Sequence, residues 1–217
     1  MLIIVVLFAF LPLLSSGRWD WWEPWVYAVI TLLGFAVSRI LAALSRPALL
    51  AERVSFMHSE NDKPWDRFLV PLIGLSFGVT LLIAGLDARF GWSPSFNLPS
   101  KILLPVMILA GYVLASYALF ENRFFSCLVR IQTERNHHVV SSGPYRRMRP
   151  IGYVGVIMAY LATPVFLNSL WAFVPTAFLP VLLFIRTVLE DRLLRDESEG
   201  YDDYAKRVCY RLLPGVW

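Results

Sequence analysis

The chain has 217 residues, 57% of them apolar and 17% charged, a length that suits one compact unit and a composition too apolar for a soluble domain of that size. Lys and Arg outnumber Asp and Glu by only 20 to 16, an excess that bears on membrane topology and gives no ground for a nucleic-acid surface. Cys127 and Cys209 stand alone, without CxxC or zinc-like spacing, so neither a disulfide framework nor a metal site is supported.

Uncharged runs predict the membrane spans in chain order. Leu2 to Ser16 carries no charge and lacks both the basic n-region and the A-x-A cleavage site of a secretory signal, so it is expected to stay as the first span. Trp19, Trp21, Trp22 and Trp25 follow within a few residues, a cluster suited to anchoring at a headgroup layer. Pro24 to Ser38 continues past Arg39 to Leu44, a second span with Arg39 snorkelling toward an interface. Phe68 to Leu86 and Ile102 to Phe120 are each 19 uncharged residues, close to the ~20 that cross a bilayer.

Pro150 to Ile185 has no charge over nearly two crossings, with Asn168 and Ser169 near its middle, and so predicts a helical hairpin. Pro164, Pro175 and Pro180 should kink it, which a membrane tolerates where neighbouring groups satisfy the freed carbonyls. The expected fold is therefore all-α: a polytopic integral membrane bundle of about six transmembrane helices. Residues 1–121 form N-terminal transmembrane helices, and residues 122–217 form a second region that contains the hairpin.

Basic residues set the orientation. Arg46, Arg53, Lys63 and Arg67 fall in one loop, Arg123, Arg130, Arg135, Arg146, Arg147 and Arg149 in another, and Arg186, Arg192, Arg195, Lys206, Arg207 and Arg211 in the C-terminal segment. The opposite loops hold only Arg18, Arg89 and Lys101. The positive-inside rule puts both termini in the cytoplasm, as in a multi-pass protein of a bacterial cytoplasmic membrane.

Reactive side chains concentrate in two stretches on that face, Asn122 to Arg149 and Arg186 to Arg211. The hairpin returns to the surface it left, so Arg149 and Tyr153 should lie near Arg186 and Glu190. Arg186 and Glu190 are four apart on one helix face, which alone describes a surface ion pair as well as a site. The neighbours His137 and His138 point in different directions and make poor co-ligands for one metal. Neither a G-x-G-x-x-G after a strand nor a P-loop is present.

Read together, these segments resemble the isoprenylcysteine carboxyl methyltransferase family, with the wider phospholipid methyltransferases behind it. The resemblance runs through Asn122-Arg123-Phe124-Phe125, Arg130-Ile131-Gln132, His137, Ser142-Gly143-Pro144-Tyr145, Arg149, Tyr153 and Gly155. It resumes at Arg186, Glu190-Asp191, Leu194, Tyr201, Tyr204, Arg207-Val208 and Pro214-Gly215. One departure stands out: the family usually has Arg-His-Pro where this chain has Arg149-Pro150-Ile151.

The resemblance implies methyl transfer from S-adenosyl-L-methionine to a lipophilic acceptor that enters from the bilayer, the first candidate being the carboxylate of an isoprenylcysteine-like substrate. It implies a cytosolic cofactor pocket formed by the C-terminal third. Arg149, Arg186 and Glu190 are the expected catalytic residues, with either arginine gripping a carboxylate through paired hydrogen bonds. His137, Val140, Gly143, Pro144, Tyr145, Tyr153, Gly155, Glu190 and Asp191 are expected around the cofactor. Glu190 or Asp191 would meet its ammonium, and Tyr145 or Tyr153 its sulfonium. Tyr201 and Tyr204 are open to a packing role against the membrane surface. Two other readings stay in view: a sterol-reductase-like oxidoreductase using NADPH, and a non-catalytic lipid-binding protein, which the missing histidine favours. Membrane lipids are expected partners, nucleic acid is not, and nothing in the sequence identifies a partner helix or an oligomeric state.

Overall fold

The computed structural model describes residues 2–45, 63–96, 98–122, 139–198 and 200–212. Helices α1 (Leu2–Ser16), α2 (Trp22–Ser45), α3 (Pro64–Phe90) and α4 (Leu98–Glu121) precede a short 3-10 turn, Gly143–Arg146. Helix α5 (Ile151–Phe166) leads through a tight turn into α6 (Phe173–Thr176) and α7 (Phe178–Glu197), and α8 (Tyr201–Arg207) follows. The described residues contain no strand, only an isolated bridge between Arg149 and Arg211.

Among the described residues, four helical stretches are long and apolar enough to cross a membrane: Trp22–Ala43, Pro64–Phe90, Lys101–Glu121 and Phe173–Glu197. Helices α1 and α5, the other two spans expected from the sequence, are apolar but shorter. Rows of large apolar side chains face outward, as lipid-facing surfaces should: Val29, Leu33, Val37 and Ile40 on α2, and Ile102, Val106, Leu109 and Val113 on α4. Trp19, Trp22 and Trp25 are exposed as interface anchors would be, whereas Trp21 is buried in the core.

Successive helices alternate in direction, which divides the molecule into two ends. At one end the hairpin turn is tied down by polar contacts. Asn168, at φ 56°, donates through Nδ2 to Glu23 Oε1 at 3.0 Å, and its Oδ1 accepts from Phe96 N at 3.0 Å. Asp87, almost wholly buried, accepts from the hydroxyls of Ser93 and Ser169, each at 2.6 Å. Lys101 pairs with the buried Glu23. These bonds keep Asp87 and Glu23 from being unpaired charges near the bilayer.

Polar side chains tie the hairpin to α3. Pro175 O accepts from Ser76 Oγ of α3 at 2.9 Å, and Ala172 O from Thr176 Oγ1 at 2.6 Å. Tyr160 of α5 completes this buried network by bonding Thr80 Oγ1 at 2.7 Å.

Helices α4 and α5 pack most closely at two glycines. A Cβ on Gly111 would sit 2.5 Å from Gly155 O, and a Cβ on Gly155 would sit 2.5 Å from Gly111 O. The pattern is small-x-x-x-small on both helices, Gly111 with Ala115 and Gly155 with Ala159, which lets membrane helices approach backbone to backbone. This contact fixes the start of α5, and with it Tyr153, against α4.

Candidate functional site

The other end of the bundle gathers the N-termini of α3 and α5, the C-termini of α4 and α7, helix α8 and the 3-10 turn. Arg149 sits immediately before α5, and Pro150 caps that helix in an extended conformation. Its backbone is held by residues far along the chain: Arg149 N donates to Tyr210 O at 3.0 Å, and Leu212 N donates to Arg149 O at 3.1 Å. That parallel bridge aims the Arg149 side chain inward, where it is 5% exposed.

Asp191 of α7 is the centre of the charged cluster. Its Oδ1 accepts from Arg149 Nη1 at 2.7 Å and from the Tyr201 hydroxyl at 2.8 Å, and its Oδ2 pairs with Arg195 at 3.1 Å and Arg211 at 2.8 Å. The Arg149 guanidinium also lies over the rings of Tyr201 and Tyr204, 5.5 and 5.8 Å from their centroids. Tyr204 donates to Tyr145 O at 2.8 Å, which links α8 to the 3-10 turn. One carboxylate thus joins the start of α5, α7, α8 and the C-terminal segment.

A second cluster adjoins it on the next residue. Glu190 Oε2 accepts from the Tyr153 hydroxyl at 2.8 Å. The Arg186 guanidinium stands over the Tyr153 ring at 5.5 Å from the centroid and donates to Asp66 Oδ2 of α3 at 2.9 Å. Asp66 has no exposed surface. Lys63, just before α3, reaches Glu197 at the end of α7 at 2.7 Å, so α3 and α7 are pinned together beside the site.

The 3-10 turn carries Gly143 at φ 54°, and a Cβ there would come within 2.7 Å of Glu121. Glycine is required by conformation and by space, since a left-handed backbone beside a packed side chain excludes larger residues. Ser142 bonds the same Glu121. Pro144 and Tyr145 are buried, and Val140 packs beside Tyr145, Tyr201 and Tyr204.

The tyrosines of this end stay neutral over the physiological range. Burial pushes the Tyr145 hydroxyl up, and the negative charge of Glu190 adds to it. Tyr201 is likewise raised by burial, with Asp191 adding, and burial pushes Tyr204 up to about 12. Neutral phenol rings attract cations without carrying charge themselves, as those of Tyr201 and Tyr204 do Arg149.

The structure therefore brings Arg149, Tyr153, Arg186, Glu190, Asp191 and Tyr145 to one end, as the hairpin predicted. Three placements differ from the sequence reading. Arg149 and Arg186 are each already engaged, with Asp191 and Asp66, rather than standing ready as a carboxylate grip. Asp191 uses both oxygens on arginines and Tyr201, so it organises the cluster instead of facing a ligand's ammonium. Gly155 lies in the α4–α5 crossing, where its missing side chain serves helix approach. His137 lies outside the described residues.

Sequence reasoning missed Asp66. An acid in the first turn of an apolar helix, right after Pro64-Trp65, is the available signal, because helix N-termini favour carboxylates and a membrane helix retains a charge only with a partner. It also missed Arg211, whose pairing depends on the C-terminal segment returning to Arg149. Among the described residues no group of three or more His, Cys, Asp or Glu is arranged to hold a metal.

Residues 103–196 match the model of the isoprenylcysteine carboxyl methyltransferase (ICMT) family, which supports a membrane methyltransferase. No curated protein matches the chain. The matched span runs from α4 to the end of α7 and includes Arg149, Tyr153, Arg186, Glu190 and Asp191.

Proposed function

We propose, on the match of residues 103–196 to the ICMT family model, that this protein is an integral membrane methyltransferase that uses S-adenosyl-L-methionine to methylate the carboxylate of a lipophilic, isoprenylcysteine-like acceptor. The observation that carries the reading is the convergence, within the matched span, of Glu190 with Tyr153 and Tyr145 at one end of the bundle. We take that end to be cytoplasmic, with α1 and α5 completing the crossings where the bilayer is locally thinned.

The residues present suit such a cofactor. Glu190 is a carboxylate engaged by one hydrogen bond, from Tyr153, and is suited to a ligand's ammonium. Tyr145 can offer its ring to a positive sulfur, and Tyr153, whose ring lies under Arg186, contributes through its bond to Glu190. The buried Nε of Arg149 has no hydrogen-bond partner among the described residues and can donate to an anionic group of cofactor or acceptor. When bound, the cofactor supplies an electrophilic methyl group, and the sulfur leaves as a neutral thioether.

An acceptor carboxylate, with an ordinary pKa of about 4.3, is ionised at neutral pH, so no side chain has to remove a proton. What the chain contributes is alignment and exclusion of water. Asp191 holds Arg149, the Arg149 and Tyr201 stack holds α8 over the site, and the Asp66–Arg186 pair fixes the ring of Tyr153. Pro150 occupies the place where the family has histidine, and the structure uses it to start α5, leaving alignment to the arginines and tyrosines.

The test is transfer of tritiated methyl from the cofactor to a farnesylcysteine derivative in a membrane preparation. Base-labile label, released as methanol, is expected for an ester. Base-stable label would indicate an amine acceptor, and no transfer alongside nicotinamide oxidation would favour a reductase.

A further inference from the structure

Between α1, α2, α3 and α4 lies a cavity of about 340 Å³, within the range of small-molecule sites, with only its α4 wall inside the span that matches the family. Its wall is largely apolar and includes Phe8, Phe35 and Phe77. Polar groups break that wall: Arg39, Ser38, Thr31 and Ser116, with the hydroxyls of Tyr27 and Tyr112. Arg39 lines the cavity one turn beyond Phe35, its guanidinium 5.4 Å from that ring's centroid. Its Nε is buried with no hydrogen-bond partner among the described residues.

A buried donor left unmet is destabilising, and a guanidinium within a membrane is costly unless paired. For Arg39 that need is met by an anionic acceptor. No acidic residue is among the described residues lining the cavity. Arg39 lies toward the C-terminus of α2, at the same end of the bundle as Asp66 and Glu190. An anionic group there would sit near the interface, with the phenylalanines deeper.

We propose that this cavity binds a single-chain amphiphile with an anionic head, the head at Arg39 and the chain against Phe8, Phe35 and Phe77. Recognition is of the charge by guanidinium and of the tail by aromatic packing, and it is independent of methyl transfer.

The test uses the full chain in nanodiscs of zwitterionic phospholipid and a photoactivatable twelve-carbon carboxylic acid as probe, with cross-links mapped by mass spectrometry. Label is expected on the cavity-lining positions of α1, α2 and α4. It should fall at least fivefold in Arg39→Gln and in Ser116→Leu, which fills the cavity from α4, while both variants keep the wild-type melting temperature within a few degrees. Excess lauric acid should compete and excess dodecanol should not. Competition by lysophosphatidate as well as laurate would define the head as any anion, and by laurate alone as a carboxylate. Equal labelling of Arg39→Gln, equal competition by dodecanol, or label spread along the lipid-facing Leu33, Val37 and Ile40 would overturn the proposal.

Discussion

Arg149 and Asp191 meet at 2.7 Å across 42 residues of chain, and their contact closes the hairpin of α5 and α7 at the end where the tyrosines and Glu190 collect. Both side chains are nearly buried, so the pair is sensitive to loss of one member. Removing one partner of a buried ion pair costs about 3–5 kcal/mol, because the other charge stays unpaired.

Asp191→Asn should therefore lower the melting temperature in detergent markedly, since three arginines lose their common partner. Arg149→Met combined with Asp191→Asn should recover much of the loss. A double-mutant cycle that finds the two effects simply additive would contradict the hub.

Asp66→Asn should leave Arg186 short of its buried acidic partner and loosen Tyr153, whose ring lies under the same guanidinium. Destabilisation of about 3 kcal/mol is expected. The closer check is the fluorescence of the native Trp65, made the sole reporter by replacing the other tryptophans, which should change on substitution of Asp66 and equally on substitution of Arg186.

Gly155→Ala and Gly111→Ala should each destabilise by about 1–3 kcal/mol, because a methyl group at either place meets the partner backbone closer than 3 Å. Gly74→Ala, at an uncrowded helical position, is the matched control and should be neutral or slightly stabilising.

Alkaline pH should act through the buried phenols. Tyr204 has its pKa raised to about 12 against about 10 in an unfolded chain, so the folded state keeps a proton that the unfolded state loses. That contribution to stability is fully present below about pH 10 and disappears as pH rises toward 12. Melting temperature should be level from pH 7 to about 9.5 and fall above it. Tyr204→Phe should soften the fall and cost about 1 kcal/mol at neutral pH through the lost bond to Tyr145 O.

Much of this arrangement was legible in the sequence because membrane helices advertise themselves by missing charge. The uncharged runs located α1, α2, α3 and α4 to within a few residues, and Asn168-Ser169 marked the hairpin turn. The end of α7 was not legible, since the uncharged run stops at Ile185 and the helix continues through charged residues to Glu197. Convergence of Arg149 and Tyr153 with Arg186 and Glu190 followed from topology. Pairing did not: Arg186 could have met Glu190 on its own helix, yet it reaches Asp66 across the bundle, and Asp191 draws arginines from three directions. The close approach at Gly111 and Gly155 was hidden because alanine stands where a second glycine would have completed the familiar motif.

Binding of S-adenosylhomocysteine to the detergent-solubilised protein, followed by calorimetry with wild type, Glu190→Ala and Arg149→Ala, tests the central claim most directly. Micromolar binding to wild type is expected, lost in Glu190→Ala while that variant keeps a cooperative melting transition, and weakened in Arg149→Ala. A well-folded wild type that binds neither S-adenosylhomocysteine nor S-adenosylmethionine would contradict the methyltransferase account.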